Sequence, residues 1–218
     1  MGILVKWLGH ASFEIQGGGK VIYIDPYKGE YVEKADIVLV THSHYDHCDL
    51  PKIELIREAG TVIIAPQDVA SKIGREVRIP KSGEEITIDQ VSVKVVDAYN
   101  NKRFRSPGVP CHAKGFGFGY LVKVENKTIY HAGDTDFIPE MEQLGHVDLA
   151  LLPAGGGYYT MDAPEAADAA LAIKPEIALP MHVWEKGVYY DPAPFKEKVE
   201  ARSKIKVVML KEGDTYSL

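Results

Sequence analysis

The sequence predicts an α/β protein in which two mixed β-sheets stack face to face and helices cover their outer faces, an αββα sandwich. Short apolar runs of strand length recur along the chain and are bounded by glycine, proline or aspartate. The order of hairpins, buried strand, helix and strand also occurs twice. No linker or low-complexity segment divides the 218 residues, so we expect one domain made of two similar halves, roughly residues 1–105 and 106–218.

The first half begins with short strands that are joined by glycine-rich turns. A helix is expected from about Leu50 to Glu58. Asp49 can cap its start, Pro51 suits its first turn and Gly60 follows its end. The predicted strands of this half are Ile3–Leu8, Phe13–Gln16, Val21–Asp25, Asp36–Thr41, Thr61–Ala65, and the hairpin Glu85–Ile88 with Val91–Val96.

The second half follows an irregular polar segment from Tyr99 to Gly115. Asp162-Ala-Pro-Glu165 resembles a capping box, which predicts a helix to about Ile173, and a further helix is expected over Pro194–Arg202. The predicted strands here are the hairpin Phe118–Val124 with Lys127–His131, then Val147–Leu152, Glu176–Pro180, Lys206–Leu210 and Thr215–Leu218.

The composition narrows the range of functions. The hydrophobic content of 45% is enough for a sizeable core, and the net charge of -6 argues against a nucleic-acid partner. No apolar stretch approaches the roughly 20 residues that span a bilayer, so no membrane partner is expected. Residues 1–7 lack the basic and apolar parts of a signal peptide, which predicts a cytoplasmic protein. Oligomer formation is left open.

The densest group of potential metal ligands is His42-Ser-His44-Tyr-Asp46-His47, directly after the apolar run 35–40. Alternate side chains of a strand lie on one face, so His42 and His44 are expected to point the same way. The chain then turns, and Asp46 and His47 approach from another direction. A single zinc site needs only three or four ligands, so two groups of ligand side chains that approach from different directions predict two metal ions.

Other candidate ligands lie near the ends of other predicted strands. His112 is near the end of the irregular segment, Asp134 follows one strand within His-Ala-Gly-Asp-Thr, and His182 follows another. Loops held by a rigid sheet are a common place for binding sites. His131, which precedes this Gly-Asp-Thr, alternates to the other face and is expected to have a core or surface role.

The joint pattern of His-x-His-x-Asp-His, a later His, a Gly-Asp-Thr and a last His resembles the metallo-β-lactamase superfamily. The motifs run from Leu8 to His182. Leu8-Gly-His-Ala-Ser-Phe13 and Ile24-Asp-Pro26 resemble a narrower branch. That branch contains metal-dependent hydrolases related to L-ascorbate-6-phosphate lactonase and, more distantly, to N-acyl-phosphatidylethanolamine phospholipase D.

The resemblance implies that seven side chains divide between two divalent ions and one bridge. They are His42, His44 and His112 on the first ion, Asp46, His47 and His182 on the second, and Asp134 between them. No cysteine takes a ligand position, which departs from the true β-lactamases. Nitrogen and oxygen ligands suit zinc, the metal we expect, with manganese or iron as alternatives.

Such a site indicates hydrolysis. Two ions roughly 3.5–4 Å apart share a water molecule, lower its pKa toward neutrality and polarise the electrophile. The expected substrate is a small phosphodiester, lactone or other ester-like metabolite that is attacked by the shared hydroxide, with Asp46 and Asp134 as catalytic carboxylates. A nuclease of the same fold and a non-catalytic metal-binding or sensing protein are the alternatives.

Three polar residues are candidates for supporting the metal ligands. His10 follows the first strand and suits either a donor near the metals or a core histidine. Asp25 can accept a hydrogen bond from a ligand histidine, or it is a turn residue before Pro26. Thr135 can orient the neighbouring Asp134 through its hydroxyl, or it is an ordinary turn threonine.

Three more residues are candidates for binding substrate. Arg103 and Arg105 lie in a cationic stretch just before His112, where they can hold a phosphate or carboxylate, or form a solvated surface. Gly156 lies in Gly-Gly-Gly between a strand and a helix, which suits an anion platform or tight backbone contact. The expected partner is a small-molecule substrate, which is anionic if these residues bind it.

Overall fold

The computed structural model describes residues 2–74, 76–185 and 187–218. Its strands are β1 Leu4–Gly9, β2 Ser12–Gly17, β3 Lys20–Ile24, β4 Ile37–Leu39, β5 Val62–Ile64, β6 Val77–Arg78, β7 Glu85–Ile88, β8 Val91–Ala98, β9 Phe104–Ser106, β10 Val109–Pro110, β11 Gly117–Val124, β12 Lys127–His131, β13 Leu149–Pro153, β14 Ile177–Met181, β15 Trp184–Glu185, β16 Val188–Tyr189, β17 Lys206–Val207 and β18 Thr215–Ser217. Its helices are α1 Leu50–Ile56, α2 Gln67–Ile73, α3 Ala163–Ile173 and α4 Ala193–Arg202, with a 3₁₀ turn at Pro139–Gln143.

The strands form two seven-stranded mixed sheets. The first has the order β18-β1-β2-β3-β4-β5-β6 and the second β17-β14-β13-β12-β11-β8-β7. In each sheet a block of antiparallel pairs adjoins a block of parallel pairs, with β3–β4 and β12–β13 as the first parallel pairs. The short hairpins β9–β10 and β15–β16 lie outside the two large sheets.

Three apolar clusters hold these layers together. The largest contains residues of both sheets, such as Phe13, Ile24, Tyr120 and Leu151, all fully buried. A second cluster joins the other face of the second sheet to α3 and α4, and a third joins the first sheet to α1 and α2. Apolar area removed from water is the main driving force for such stacking. The predicted αββα sandwich is confirmed.

Local capping explains where two helices begin. Asp49 accepts a hydrogen bond from Lys52 N at 3.1 Å, and Asp162 accepts one from Glu165 N at 2.9 Å. Both helices therefore begin at the predicted residues. Glu165 departs from the expected capping box, because its carboxylate pairs with Lys102 at 2.7 Å.

The change from one sheet to the other does not coincide with the predicted boundary near residue 105. The hairpin β7–β8 already belongs to the second sheet, and β18 returns to pair with β1. Hairpin signals in a sequence are local and do not specify which sheet a hairpin joins. That the chain is one domain of two halves stays a prediction. None of the helices formed by the described residues combines the length and apolar character that a bilayer crossing requires.

Candidate metal centre

The candidate ligands come together where the carboxyl ends of parallel strands from both sheets meet. The segment 42–47 follows β4, Asp134 follows β12 and His182 follows β14. His112 lies in the loop that leads into β11, and His10 lies in the turn between β1 and β2. Residues that are far apart in the chain thus form two groups of close side chains.

The first group contains three imidazoles and one carboxylate oxygen. His42 Nε2 lies 3.1 Å from His44 Nδ1, which lies 3.2 Å from His112 Nε2. Asp134 Oδ2 is 3.5 Å from His112 Nε2 and 3.8 Å from His42 Nε2. In a tetrahedral zinc site with bonds of about 2.0–2.1 Å, two ligand atoms lie roughly 3.3 Å apart. These spacings match those of ligand atoms around one ion.

The second group contains Asp46, His47, His182 and also His10, whose ligand atoms all lie within 4.8 Å of one another. His47 Nε2 and His182 Nε2 lie 3.2 Å and 3.5 Å from Asp134 Oδ1. His10 Nε2 lies 3.3 Å from Asp46 Oδ2. The sequence leaves the role of His10 open between supporting the ligands and packing in the core, and in the structure His10 lies beside the predicted ligands.

Asp134 lies between the two groups. Its Oδ2 atom is the one nearest to His42 and His112, whereas its Oδ1 atom is the one nearest to His47 and His182. Each oxygen therefore faces a different group. A carboxylate with this orientation can join two metal ions.

Several buried polar atoms of the centre have no hydrogen-bond partner among the described residues. They are His10 Nε2, His47 Nε2, Asp134 Oδ1 and His182 Nδ1. A buried polar atom without a partner is costly, and in native proteins it commonly marks a bound ion or a functional site. The donor atoms are imidazole nitrogens and carboxylate oxygens, which suit divalent transition metals. The residues present therefore fit a pair of metal ions.

Burial sets the charge of the first group. It lowers the pKa of His42 and His44, and it lowers the pKa of His112 to about 4, although Asp134 acts in the opposite direction on all three. The imidazoles of this group are therefore neutral near neutral pH. Neutral imidazole is the form that binds a metal ion.

The second group is governed by its carboxylates. Burial alone would lower the pKa of His47 and His182, but Asp134, joined by Asp25 in the case of His47, outweighs it and raises both pKa values. Burial would raise the pKa of Asp134, but His47 and His182 hold it well below its usual range. Burial would raise the pKa of Asp46, but the nearby imidazoles of His10 and His47 together outweigh it and lower the pKa to about 2. Both carboxylates are ionised and need positive charge beside them.

Asp25 supports one histidine of the second group. Its Oδ2 atom lies 2.7 Å from His47 Nδ1 and accepts a hydrogen bond from the Thr41 hydroxyl at 2.7 Å, while its Oδ1 atom accepts one from Thr41 N at 2.7 Å. A carboxylate behind a ligand histidine fixes its ring and leaves the other nitrogen for the metal. This contact is one of the two roles that the sequence offers for Asp25, and its effect on metal binding stays a prediction.

Asn100 has a similar place behind His112, and sequence reasoning missed it. Its Oδ1 atom lies 2.7 Å from His112 Nδ1 and accepts a hydrogen bond from His112 N at 2.8 Å. Asn100 is one polar residue at the start of an irregular segment. Only its place in the segment that leads to His112 could have drawn attention to it.

A cavity of about 780 Å³ opens onto the centre. Its volume suits a small organic molecule. Its wall shares His10, His44, Asp46, Asp134 and His182 with the two groups. The remaining wall is aromatic, charged or small, and consists of Tyr27, Tyr45, Tyr159, Trp184, Lys28, Arg105, Glu212, Cys111 and Gly187.

The two arginines proposed from the sequence have different surroundings. Arg105 lines the cavity and donates a hydrogen bond from Nη2 to Cys111 O at 3.0 Å. Arg103 is not part of the cavity wall, and its guanidinium pairs with Asp136 and Glu165. Arg105 can therefore contact a bound molecule, whereas the charge of Arg103 is used within the protein.

The contacts of Thr135 and Gly156 match the second of the two roles that the sequence offers for each residue. The Thr135 hydroxyl lies 3.0 Å from Tyr99 O and accepts a hydrogen bond from Tyr99 N at 3.1 Å, so it does not orient Asp134. The Gly156 N–H donates to Met161 O at 3.1 Å and is not left for an anion. A side chain at Gly156 would collide with Thr160 Oγ1, so tight contact explains this glycine.

Known proteins match the chain over most or all of its length. The model of the beta-lactamase superfamily domain matches residues 4–182. A UPF0173 metal-dependent hydrolase of Thermococcus kodakarensis is 39% identical over 99% of this chain and 100% of its own. A UPF0173 metal-dependent hydrolase of Pelotomaculum thermopropionicum is 33% identical over 98% and 99% of the two chains.

A solved structure is similar in sequence and in fold. Igni18, a metallo hydrolase from Ignicoccus hospitalis, superposes with a TM-score of 0.81 at 27% identity, covering 100% of this chain and 99% of that one. These matches confirm the predicted superfamily, fold and enzyme class of metal-dependent hydrolase. The closer relation to the lactonase and phospholipase branch stays a prediction. The chain therefore belongs to the metallo-β-lactamase superfamily, together with the UPF0173 metal-dependent hydrolases that it matches along its whole length.

Proposed function

We propose that the chain is a dinuclear metal-dependent hydrolase of small, anionic, ester-like metabolites. The observation that carries this proposal is the position of Asp134, which directs one oxygen toward each group of candidate ligands. The proposed ligands are the seven residues expected from the sequence: His42, His44 and His112 for one ion, Asp46, His47 and His182 for the other, and Asp134 for both.

Bound at this centre, a metal pair would activate a water molecule and polarise the bond that is to be cleaved. The chain itself supplies neutral imidazoles and ionised carboxylates in fixed places. His10 lies against Asp46 and holds that carboxylate, or joins its group. Lys28 and Arg105 in the cavity wall would bind the anionic part of the substrate, and the aromatic side chains would cover its apolar part.

The identity of the metal, zinc first with manganese or iron as alternatives, belongs to this proposal. So do a cytoplasmic location and an anionic small-molecule partner. The net charge of -6 supports a small substrate over a nucleic acid, which a strongly basic surface would favour.

Metal analysis combined with a substrate screen tests the proposal. Wild-type protein should bind close to two equivalents of metal, and chelation should abolish hydrolysis of lactones and phosphodiesters until metal is restored. Asp134→Asn should reduce both metal content and turnover, because it replaces the shared carboxylate with an amide that ligates divalent metals weakly. Lys81→Gln, which changes an exposed side chain outside the cavity wall, is the control. Full activity in metal-free protein would refute the proposal.

A further inference from the structure

A continuous line of buried and partly buried side chains runs from His112 to the first turn of helix α3. Its first member is Asn100, which is 4% exposed. The Asn100 amide nitrogen lies 2.9 Å from both Asp136 Oδ1 and Tyr159 O. Both of these atoms only accept hydrogen bonds, so the NH₂ group of Asn100 must face them and its Oδ1 atom must face His112.

This orientation determines where His112 carries its proton. An amide oxygen can only accept a hydrogen bond, and Asn100 Oδ1 lies 2.7 Å from His112 Nδ1. Nδ1 therefore carries the hydrogen when the ring is neutral. The lone pair of Nε2 is left to face His44 Nδ1 at 3.2 Å and Asp134 Oδ2 at 3.5 Å, which are members of the first group.

Asp136 and Arg103 fix the position of Asn100. Asp136 is fully buried, and its Oδ2 atom accepts hydrogen bonds from the backbone N of Asn101 and Lys102 at 2.8 Å and 2.6 Å. The Arg103 guanidinium pairs with Asp136 and, at 2.6 Å, with Glu165 of α3. A buried carboxylate needs such a partner to remain charged. The line therefore connects a helix of the scaffold to one candidate ligand.

We propose that Asn100, held by Asp136 and Arg103, is a positioning residue that sets the tautomer and orientation of His112, and through it the metal affinity of the first group alone. The proposal rests on the proposed dinuclear function. The second group has its own support, because His47 Nδ1 contacts the carboxylate of Asp25 rather than an amide. The Asn100 amide also holds Tyr159 O, so the same residue places part of the cavity wall.

Metal affinity measured in two single-site backgrounds tests this proposal. His182→Ala leaves the first group as the remaining site, and His112→Ala leaves the second. Zinc affinity is measured by competition with a chromophoric chelator. Asn100→Leu should weaken zinc binding about 10–100-fold in the His182→Ala background, the usual effect of removing such a support. It should have no effect in the His112→Ala background, and Asn101→Ala should have none in either.

Asn100→Asp separates positioning from folding. It keeps an acceptor for His112 Nδ1 but removes two donors and puts a carboxylate against Asp136, so it should lower the urea midpoint while zinc affinity at the first group stays within about threefold or rises. Circular dichroism confirms that each variant is folded. If Asn100→Leu weakened zinc binding equally in both backgrounds, or did not weaken it in either, this inference alone would be overturned. A wild-type protein that binds fewer than two zinc ions would overturn the proposed function, and this inference with it.

Discussion

Three residues of the centre have a left-handed backbone, which is rare for residues other than glycine. The φ angles of His10, Asp25 and His182 are 54°, 48° and 54°. Each such residue costs roughly 1–3 kcal/mol and persists only where its surroundings hold it. His10 O accepts hydrogen bonds from Trp7 Nε1 at 2.9 Å and from His182 N at 3.0 Å, while Asp25 N donates to Leu39 O at 2.9 Å. Strain of this kind collects at functional sites.

A substitution of Arg105 tests whether this side chain binds the anionic part of the substrate. Arg105→Ala should raise KM for anionic substrates roughly tenfold, because it removes one charge-assisted hydrogen bond, and it should leave kcat nearly unchanged. Steady-state kinetics with an anionic ester and a matched neutral ester measure this. Arg78→Ala, which removes an exposed arginine paired with Glu84, is the control. An equal rise of KM for both esters would contradict a role in binding the anion.

The residues that could be predicted from the sequence are those with a short, repeated spacing. His42 and His44 are two residues apart after an apolar run, so their place in one site could be predicted, although both lie beyond the end of β4 at Leu39 and strand geometry does not fix their direction. Asn100 and Asp136 have no such signal, because their roles depend on contacts between distant segments. The role of Thr135 stays open in the sequence for the same reason, since the contact of its hydroxyl with the backbone of Tyr99 joins distant segments.

In each sheet, an aspartate stands just before the strand that makes the first parallel pair with its neighbour. Asp36, just before β4, accepts hydrogen bonds from Lys20 Nζ at 3.0 Å and Val21 N at 2.9 Å. Asp148, just before β13, accepts them from Lys127 Nζ at 2.6 Å and Thr128 N at 2.8 Å. Each aspartate thus holds its strand beside the preceding one. The two carboxylates differ in exposure, at 36% for Asp36 and 2% for Asp148.

This difference predicts unequal effects on stability. Asp148→Asn should lower the free energy of unfolding by roughly 2 kcal/mol near neutral pH, and the more exposed Asp36→Asn by less than about 1 kcal/mol. Burial alone would raise the pKa of Asp148. The contacts with Lys127 and the Thr128 N–H outweigh burial, so the folded-state pKa is lowered. The stabilisation is therefore complete above the unfolded-state value of about 3.9 and is lost as pH falls through the folded-state pKa.

Urea unfolding at about pH 7 and about pH 3 measures both effects. The gap in stability between wild type and Asp148→Asn should narrow at the lower pH, because the Asp148 carboxylate binds a proton in the unfolded chain there before it does so in the folded protein. A gap of the same size at both values would show that the negative charge of Asp148 does not stabilise the fold.

The elements that could be predicted are those with strong local signals. Apolar runs predict the buried strands. Asp49 and Asp162, as capping residues, predict where two helices begin. Helix α2 was missed, because Pro66 precedes it without a side-chain cap and few of its residues are buried. The hairpin β9–β10 was missed as well, because its first strand is exposed and shows no apolar alternation.

At the scale of the whole molecule, the two sheets repeat one plan. The first sheet, from β18 to β6, has three antiparallel strand pairs followed by three parallel pairs. The second sheet, from β7 to β17, has the same sequence of pairs. Helices α1 and α2 follow the first two parallel strands β4 and β5 as α3 and α4 follow β13 and β14. The antiparallel edge strands of the two sheets differ in their place in the chain, since β18 of the first sheet comes from the far end of the sequence. No local signal reveals such a strand exchange.

Each group of candidate ligands draws on both sheets, so bound metal should join the sheets together. His42 and His44 follow a strand of the first sheet and meet Asp134 of the second, and Asp46 and His47 meet His182 in the same way. Zinc at about 1,000 times its dissociation constant should raise the free energy of unfolding by about 4 kcal/mol per site. Urea unfolding with zinc and with chelator measures the difference. Replacing both His42 and His182 with alanine should remove it, whereas replacing the exposed His146 should not. Equal stabilisation of the double variant by zinc would mean that the metal binds elsewhere.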